Sequence, residues 1–160
     1  MNRCVLEEGQ TGLCRARKNT GGAVVPVNYG KITSMALDPI EKKPLRRFLP
    51  GSVILSVGSF GCNLRCPFCQ NHEISMAGEG ASRAVPVSPE KLAKKAAELR
   101  IKGNVGVAYT YNEPLVGWVY VRDTGRLVRI AGMKNVIVTN GSVSDQALDD
   151  ILPVADAMRS

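Results

Sequence analysis

The sequence lacks two features that would place it in or across a membrane. Its uninterrupted apolar stretches, such as residues 136–138, fall far short of the ~20 residues that span a bilayer. The N-terminus, Met1 to Glu8, has no apolar core of the kind that an export signal carries. These absences predict a cytoplasmic protein with no membrane partner.

Aromatic residues are also scarce, at 5% of the chain, although the net charge is +7. Nine of the 21 basic but only four of the 14 acidic side chains fall within residues 1–50, and seven of these nine lie in runs at 15–18 and 42–47. These runs carry no interleaved aromatic side chains on which unstacked bases could rest, which argues against nucleic-acid binding. We interpret them as solvated faces; the alternative is a docking site for an acidic partner.

The five cysteines cannot form a disulfide framework in a reducing compartment, so a metal site or catalysis is the better explanation. Cys4 and Cys14 stand alone. Cys62, Cys66 and Cys69 fall within eight residues. Clustered thiols in such a compartment most often hold a metal ion.

The pattern along the chain predicts an α/β fold. Glycine and proline interrupt residues 1–50, where 24–29 is the best candidate strand. Thereafter strands at 52–57, 105–109 and 135–139 alternate with helices at 88–102, 114–131 and 144–152, and residues 156–158 resemble the start of a fourth strand. Such alternation is typical of parallel βαβ units. The carboxyl ends of parallel strands share one edge, so residues 58–62, 110–114 and 139–141 are predicted to meet there.

The three clustered cysteines follow the first of these strands with the spacing CxxxCxxC. Thiolates suit iron–sulfur clusters and zinc. A [4Fe–4S] cluster normally takes four cysteines, so three would leave one iron open to a substrate or cofactor. Zinc completed by His72 is the alternative. We favour the cluster because all four candidate donors lie within eleven residues, whereas zinc sites usually combine ligand pairs from two separate segments of the chain. We interpret His72 as a loop residue.

The segment from Cys62 to Cys69 resembles the signature of the radical S-adenosylmethionine (SAM) superfamily, including the aromatic Phe68 before the third cysteine. The similarity extends through residues 38–45, 48–52 and 61–71, and through 109–114 and 138–141. Together these segments resemble the radical SAM enzyme of the AmmeMemoRadiSam system, a group related to the pyruvate formate-lyase activating enzymes.

The resemblance implies a partial TIM-type (βα) barrel with parallel strands, preceded by a short irregular N-terminal region. It implies that Cys62, Cys66 and Cys69 ligate a [4Fe–4S] cluster and that SAM chelates the fourth iron. Reductive cleavage of SAM would then give methionine and a 5′-deoxyadenosyl radical, which abstracts hydrogen from a substrate. The electron donor implied is a reduced flavodoxin or ferredoxin. The substrate, a protein or a small molecule, is not identified, and no catalytic side chain is assigned.

Four further residues are expected to bind the cofactor: Phe68, Asn112, Glu113 and Asn140. Phe68 would lie by the adenine. Residues 112–114 stand where many family members carry Gly-Gly-Glu-Pro beside the amino group of SAM, with Tyr111 and Asn112 in place of the glycines. The alternative role of Glu113 is an N-terminal helix carboxylate ahead of Pro114, and that of Asn140 is a turn. Gly58 and Gly61 would allow close backbone approach.

We expect two regions, an N-terminal extension at 1–50 and the first part of the barrel at 51–160. In the family, further cysteines commonly precede residues 9–14, so Cys4 and Cys14 are either remnants of a second metal site or buried or free thiols. Family members also have several more βα units. An alternative function is therefore a truncated, inactive cluster-binding fragment, and a third is a zinc-stabilised interaction module.

Overall fold

A five-stranded sheet organises the molecule. The computed structural model describes residues 4–45, 47–81 and 83–160. The sheet contains β4 (Ser34–Pro39), β5 (Val53–Gly58), β7 (Asn104–Tyr109), β8 (Lys134–Val138) and β9 (Ala157–Arg159), in that order. Strands β5, β7, β8 and β9 are parallel, whereas β4 is antiparallel to β5. The predicted parallel α/β sheet, including its fourth strand, is confirmed.

Three helices connect the parallel strands: α2 (Pro89–Glu98), α3 (Trp118–Ile130) and α4 (Asp145–Ile151). Ser88 caps α2 by accepting a hydrogen bond from the Lys91 amide, and Ser144 caps α4 in the same way. Short 3₁₀ turns at Leu99–Lys102 and Pro114–Gly117 occupy the ends of the helices predicted at 88–102 and 114–131. Gly103, at φ +80°, then ends the first of these segments.

The sheet buries a different set of residues on each face. Leu55, Val107 and Ile137 pack against the helices in the main core. Ile54, Ala108 and Val136 face the opposite side, where Ile40, Leu45 and Phe48 pack against them. The segment between β4 and β5 therefore covers part of the second face. Barrel closure is not seen among the described residues.

The N-terminal region is more regular than predicted. Strands β1 (Arg17–Thr20) and β2 (Ala23–Pro26) form a hairpin through Gly21 and Gly22, both at positive φ. The strand expected at 24–29 therefore ends early, because residues 27–30 form a turn. Strand β3 (Lys31–Ile32) pairs with β6 (Val85–Pro86). Because β4 belongs to the main sheet, the sheet continues across the predicted boundary between residues 50 and 51.

A short helix, α1 (His72–Ser75), follows the segment from Cys62 to Cys69, which we call the cysteine loop. Among the described residues, none of the helices combines the length and the apolar character needed to cross a membrane.

Candidate functional site

The three polar segments at the carboxyl ends of β5, β7 and β8 meet as predicted. Asn112 joins the first two: its Oδ1 accepts a hydrogen bond from the Ser59 amide at 3.0 Å, and its Nδ2 donates to the Gly61 carbonyl at 2.9 Å. Its side chain is buried. Asn112 therefore fastens the start of the cysteine loop to the end of β7.

Glu113 joins the second and third segments. One carboxylate oxygen accepts from the Leu115 amide at 2.9 Å and from the Thr139 hydroxyl at 2.8 Å, and the other accepts from the Asn140 amide at 2.6 Å. Burial raises the pKa of Glu113, although these three donors oppose the shift. The alternative of an N-terminal helix carboxylate is thus confirmed, since Glu113 caps the 3₁₀ turn that leads into α3.

Two asparagines connect the cysteine loop to the end of β8. Asn140 Nδ2 donates to Asn63 Oδ1 at 2.8 Å and lies 3.9 Å from Cys62 Sγ. Asn63 Nδ2 in turn donates to the Ser142 carbonyl at 3.0 Å. Asn140 thus lies beside the first cysteine of the loop.

Gly58 and Gly61 do permit close approach, and the groups that approach them are the chain's own. A Cβ at Gly58 would lie 2.9 Å from the Thr110 carbonyl and from the Tyr111 side chain. A Cβ at Gly61, which has φ +88°, would lie 2.5 Å from the Cys14 carbonyl. The N-terminal segment therefore packs directly against the start of the cysteine loop.

Tyr111, at a position where the resemblance implies a glycine, is held in a strained conformation. Its φ is +73°, in the left-handed region that side chains rarely adopt. Its hydroxyl donates to Asp38 Oδ2 at 2.9 Å, and Lys43 Nζ lies 5.1 Å from the centre of its ring. Although burial alone would raise the pKa of Asp38, its polar neighbours Ser56, Lys43, Lys42 and Tyr111 hold it well below the usual value.

The interpretation of both basic runs as solvated faces is therefore partly wrong. Lys43 is only 3% exposed because it pairs with the buried Asp38 at 3.0 Å. Arg17 is half-buried, and its Nε donates to the Val116 carbonyl at 2.8 Å. Arg46, in the second run, lies outside the described residues. Part of the N-terminal charge thus serves internal contacts.

The three clustered cysteines line one cavity of about 170 Å³, together with His72 and residues that include Ser75 and Met76. Cys66 is exposed, whereas Cys62 and Cys69 are partly buried. Burial raises the pKa of the Cys62 thiol, and the nearby Glu113 adds to this effect. Cys69 Sγ lies 3.8 Å from Ser75 Oγ in α1. His72 begins α1, so the prediction of a loop residue is wrong.

The donor set of this cavity fits an iron–sulfur cluster. Three soft thiol ligands from one loop face a common space, as such a cluster requires. Within residues 4–45, 47–81 and 83–160, no three His, Cys, Asp or Glu side chains are already grouped closely enough to hold a metal ion. Ligation therefore requires the thiols to converge within their cavity. Because His72 lines the same cavity, the zinc alternative stays open.

The four residues predicted to bind the cofactor differ in how far they are exposed to solvent. Phe68 is 83% exposed, next to Cys69 in the loop. Asn112 and Glu113 are buried and hydrogen-bonded within the chain, whereas Asn140 is exposed beside Cys62. A cofactor contact by any of these four residues stays a prediction.

Cys4 and Cys14 have free thiols, and both line a separate, larger cavity.

Sequence reasoning missed the contribution of Asn63, Asp38 and Lys43 to this region. Asn63 lies inside the cysteine motif, so its position was a usable signal. Asp38 and Lys43 lie five residues apart, but their common partner Tyr111 is 73 residues from Asp38 in the sequence. Such a cluster depends on the tertiary fold.

Comparisons with known proteins agree with this geometry. The profile of the Radical SAM superfamily matches residues 56–158, from within β5 to within β9. An uncharacterized protein of Methanocaldococcus jannaschii is 41% identical over 156 residues, covering 97% of this chain and 45% of the relative. The chain thus spans less than half the length of that relative. The matched region includes the cysteine loop and at least part of each parallel strand, and the chain belongs to the radical SAM superfamily.

Proposed function

We propose that this chain carries the cofactor-binding part of a radical SAM enzyme, with a [4Fe–4S] cluster on Cys62, Cys66 and Cys69. The observation that carries the proposal is the common cavity that these three thiols line, directly after β5. The typical use of this cluster and of SAM in the superfamily supports it. Held by these three cysteines, the cluster would supply the electron for the cleavage of SAM to methionine and a 5′-deoxyadenosyl radical, which would abstract hydrogen from a substrate.

The chain's own residues would bind and orient SAM beside the loop. Glu113 provides negative charge near Cys62, which suits the cationic amino and sulfonium groups of SAM. Its carboxylate is fixed by three hydrogen bonds, so it needs little reorganisation on binding. Asn112 and Asn140 hold the adjoining backbone, and the exposed Phe68 is available for the adenine.

The finer assignment is part of the same proposal. The motifs at 38–45 and 109–114 favour a protein similar to the radical SAM enzyme of the AmmeMemoRadiSam system, with residues 1–50 as an N-terminal extension and 51–160 as the first part of a barrel. A reduced flavodoxin or ferredoxin would supply the electron. The substrate would be a protein or a small molecule, which the same radical chemistry accommodates.

Anaerobic reconstitution with iron and sulfide tests the proposal. We expect an absorbance band at about 400 nm and bound iron and sulfide that are lost in Cys66→Ala. The matched control is Cys4→Ala, which removes an exposed thiol outside the loop; its iron content should equal that of the wild-type chain. Absence of the band, with one zinc bound instead, would contradict the cluster assignment.

A second measurement separates an enzyme from an inactive cluster-binding fragment. The reconstituted, dithionite-reduced chain is incubated with SAM, and 5′-deoxyadenosine and methionine are quantified. Formation of both products supports cleavage by these 160 residues. A cluster without products favours the fragment alternative.

The zinc-stabilised module remains the second candidate because His72 faces the same cavity as the thiols. Substituting His72→Ala distinguishes the two. A zinc site with three cysteines and this histidine loses affinity in the variant, whereas the iron content of a three-cysteine cluster is unchanged.

A further inference from the structure

The larger cavity mentioned above has a volume of about 360 Å³ and lies between the N-terminal segment and residues that follow β5, β7 and β8. Its apolar wall comes from Leu6, Leu13, Val24, Val116 and Trp118. It shares no lining residue with the cysteine-loop cavity. Small-molecule sites typically enclose about 300–1,000 Å³ and are mostly apolar with a few polar groups.

Arg17 is the only charged residue among the described residues that line this cavity. Its Nε donates to the Val116 carbonyl, which fixes the guanidinium against the wall. Its Nη2 is buried and has no hydrogen-bond partner within the described parts of the chain. No described acidic side chain forms an ion pair with Arg17.

A partly buried guanidinium without a counter-charge is energetically costly. Burial lowers the pKa of Arg17, and among the described residues Cys14 is the one titratable neighbour that opposes this effect. Buried charges in proteins are normally paired with an anion or fully hydrogen-bonded. An anionic group in the cavity would neutralise the charge of Arg17, whose side chain lines it.

We propose that this cavity binds a small molecule with an apolar body and a carboxylate group. The carboxylate pairs with Arg17, whose planar guanidinium suits carboxylate recognition. The apolar body packs against Trp118 and the aliphatic side chains around it. Asn63 of the cysteine loop also lines the cavity, but the site contains none of the three clustered cysteines, so its test does not require a bound cluster.

Direct titration of the full chain with 3-phenylpropionate, monitored by isothermal calorimetry, tests the proposal. The neutral analogue 3-phenylpropanol has nearly the same body without the charge. We expect saturable binding of the acid with an affinity at least ~10-fold higher than that of the alcohol, as for a charge-assisted hydrogen bond. Arg17→Gln should reduce this preference to about twofold or less, and Arg17→Lys should restore part of it.

A second variant keeps the proposal testable if substitution of Arg17 prevents the chain from folding. Leu13 is 64% exposed and lines the cavity, so Leu13→Trp adds volume there without disturbing the core. It should abolish binding of both compounds while thermal stability is retained.

Cys14 provides a site-specific readout: the acid should slow its alkylation by N-ethylmaleimide, measured by peptide mass spectrometry. Alkylation of the exposed Cys66, outside this cavity, should be unchanged.

Several outcomes would overturn the proposal. The first is the absence of saturable binding, and the second is equal affinity for the acid and the alcohol. The third is binding of the acid that persists unchanged in both Arg17→Gln and Leu13→Trp. Binding seen only after residues 1–3 are removed would identify the chain's own terminus as the occupant. Binding that competes with dimer formation would identify a second copy of the chain.

Discussion

At the scale of single residues, Gly61 is the most restrictive position near the cysteine loop. An alanine there must adopt a φ of +88°, and its Cβ would lie 2.5 Å from the Cys14 carbonyl. We expect Gly61→Ala to lower the free energy of unfolding by at least about 2 kcal/mol, from backbone strain and steric overlap. Urea denaturation followed by circular dichroism measures the change.

Gly80 provides the matched control for this prediction. A Cβ there meets no atom within 4 Å, and its φ is not in the left-handed region. Gly80→Ala should therefore be neutral or stabilising by about 0.4–1 kcal/mol, because it restricts the unfolded chain. Equal destabilisation by both substitutions would show that the N-terminal segment does not pack against Gly61.

Asp38 gives a pH-dependent prediction at the same scale. Its folded-state pKa lies below the unfolded value, so its stabilising contribution is complete above the usual aspartate pKa of about 3.9 and is lost as the pH falls below that value. Asp38→Asn leaves the buried Lys43 unpaired and should cost about 3 kcal/mol at neutral pH. The difference from the wild-type chain should shrink as the solution is acidified.

Lys42 is the control for Asp38. It also pairs with Asp38, but its side chain is 65% exposed. Lys42→Ala should therefore cost less than about 1 kcal/mol. A larger loss in Lys42→Ala than in Asp38→Asn would contradict a buried pair between Asp38 and Lys43.

The sequence revealed some of these residues and concealed others for physical reasons. The spacing of Cys62, Cys66 and Cys69 is a local pattern, so the shared position of their thiols could be predicted. The inward positions of Arg17 and Lys43 could not, because each depends on a partner brought close by folding. Arg17, for example, contacts Val116, which is 99 residues away in the sequence.

At the scale of secondary-structure elements, Glu113 combines two roles that are usually separate. It caps the 3₁₀ turn before α3 and also fastens the end of β7 to the end of β8. Glu113→Ala removes the carboxylate that accepts hydrogen bonds from three donors, and two of these donors belong to buried residues. We therefore expect a loss of about 3 kcal/mol in the free energy of unfolding. Chemical denaturation measures this loss.

Ser88 is the appropriate comparison because its side chain caps α2 from within the same segment of the chain. Ser88→Ala should cost about 1 kcal/mol. If the two substitutions had equal effects, Glu113 would be acting as a cap alone, without stabilising the contact between the two strand ends.

The helices and parallel strands were predictable because their signals lie within the elements themselves. Ser88 and Pro89 mark the beginning of α2, and Gly103 marks its end after the 3₁₀ turn. Strand β4 was not predicted, since its six residues end in proline and it is defined by pairing with β5 rather than by its own pattern. The four residues of α1 are too few for a periodic pattern.

At the scale of the whole molecule, the charge distribution bears on the proposed electron donor. Lys43 is buried and Arg17 is bound to the Val116 carbonyl, whereas Lys42 is exposed and Lys18 is partly exposed. If an acidic flavodoxin docks on this surface, its rate of reducing the reconstituted chain should fall as ionic strength rises. Stopped-flow absorbance of the cluster band measures the rate.

A pair of charge reversals tests whether the effect is local. Lys18→Glu should slow reduction at low salt, with the difference vanishing at high salt. Lys102→Glu changes the net charge equally but lies just before β7, at the opposite end of the strands from the cysteine loop, and should have a smaller effect. Equal slowing by both variants, or reduction insensitive to salt, would argue against docking on the N-terminal surface.

The alternating strands and helices predicted the overall α/β architecture, and the parallel order of β5, β7, β8 and β9 confirms it. The extent of the barrel could not be predicted from the same pattern, because closure depends on which strand edges remain available. That property belongs to the sheet as a whole.

The antiparallel strand β4 has a topological consequence for how this sheet can grow. It occupies the edge of β5 along all six residues from Val53 to Gly58, so no parallel strand can pair with β5 on that side. Within the described residues, the parallel order can be extended only beyond β9. Growth of the parallel part of the sheet is therefore one-directional, and a ring of parallel strands closing onto β5 is excluded as long as β4 keeps its place.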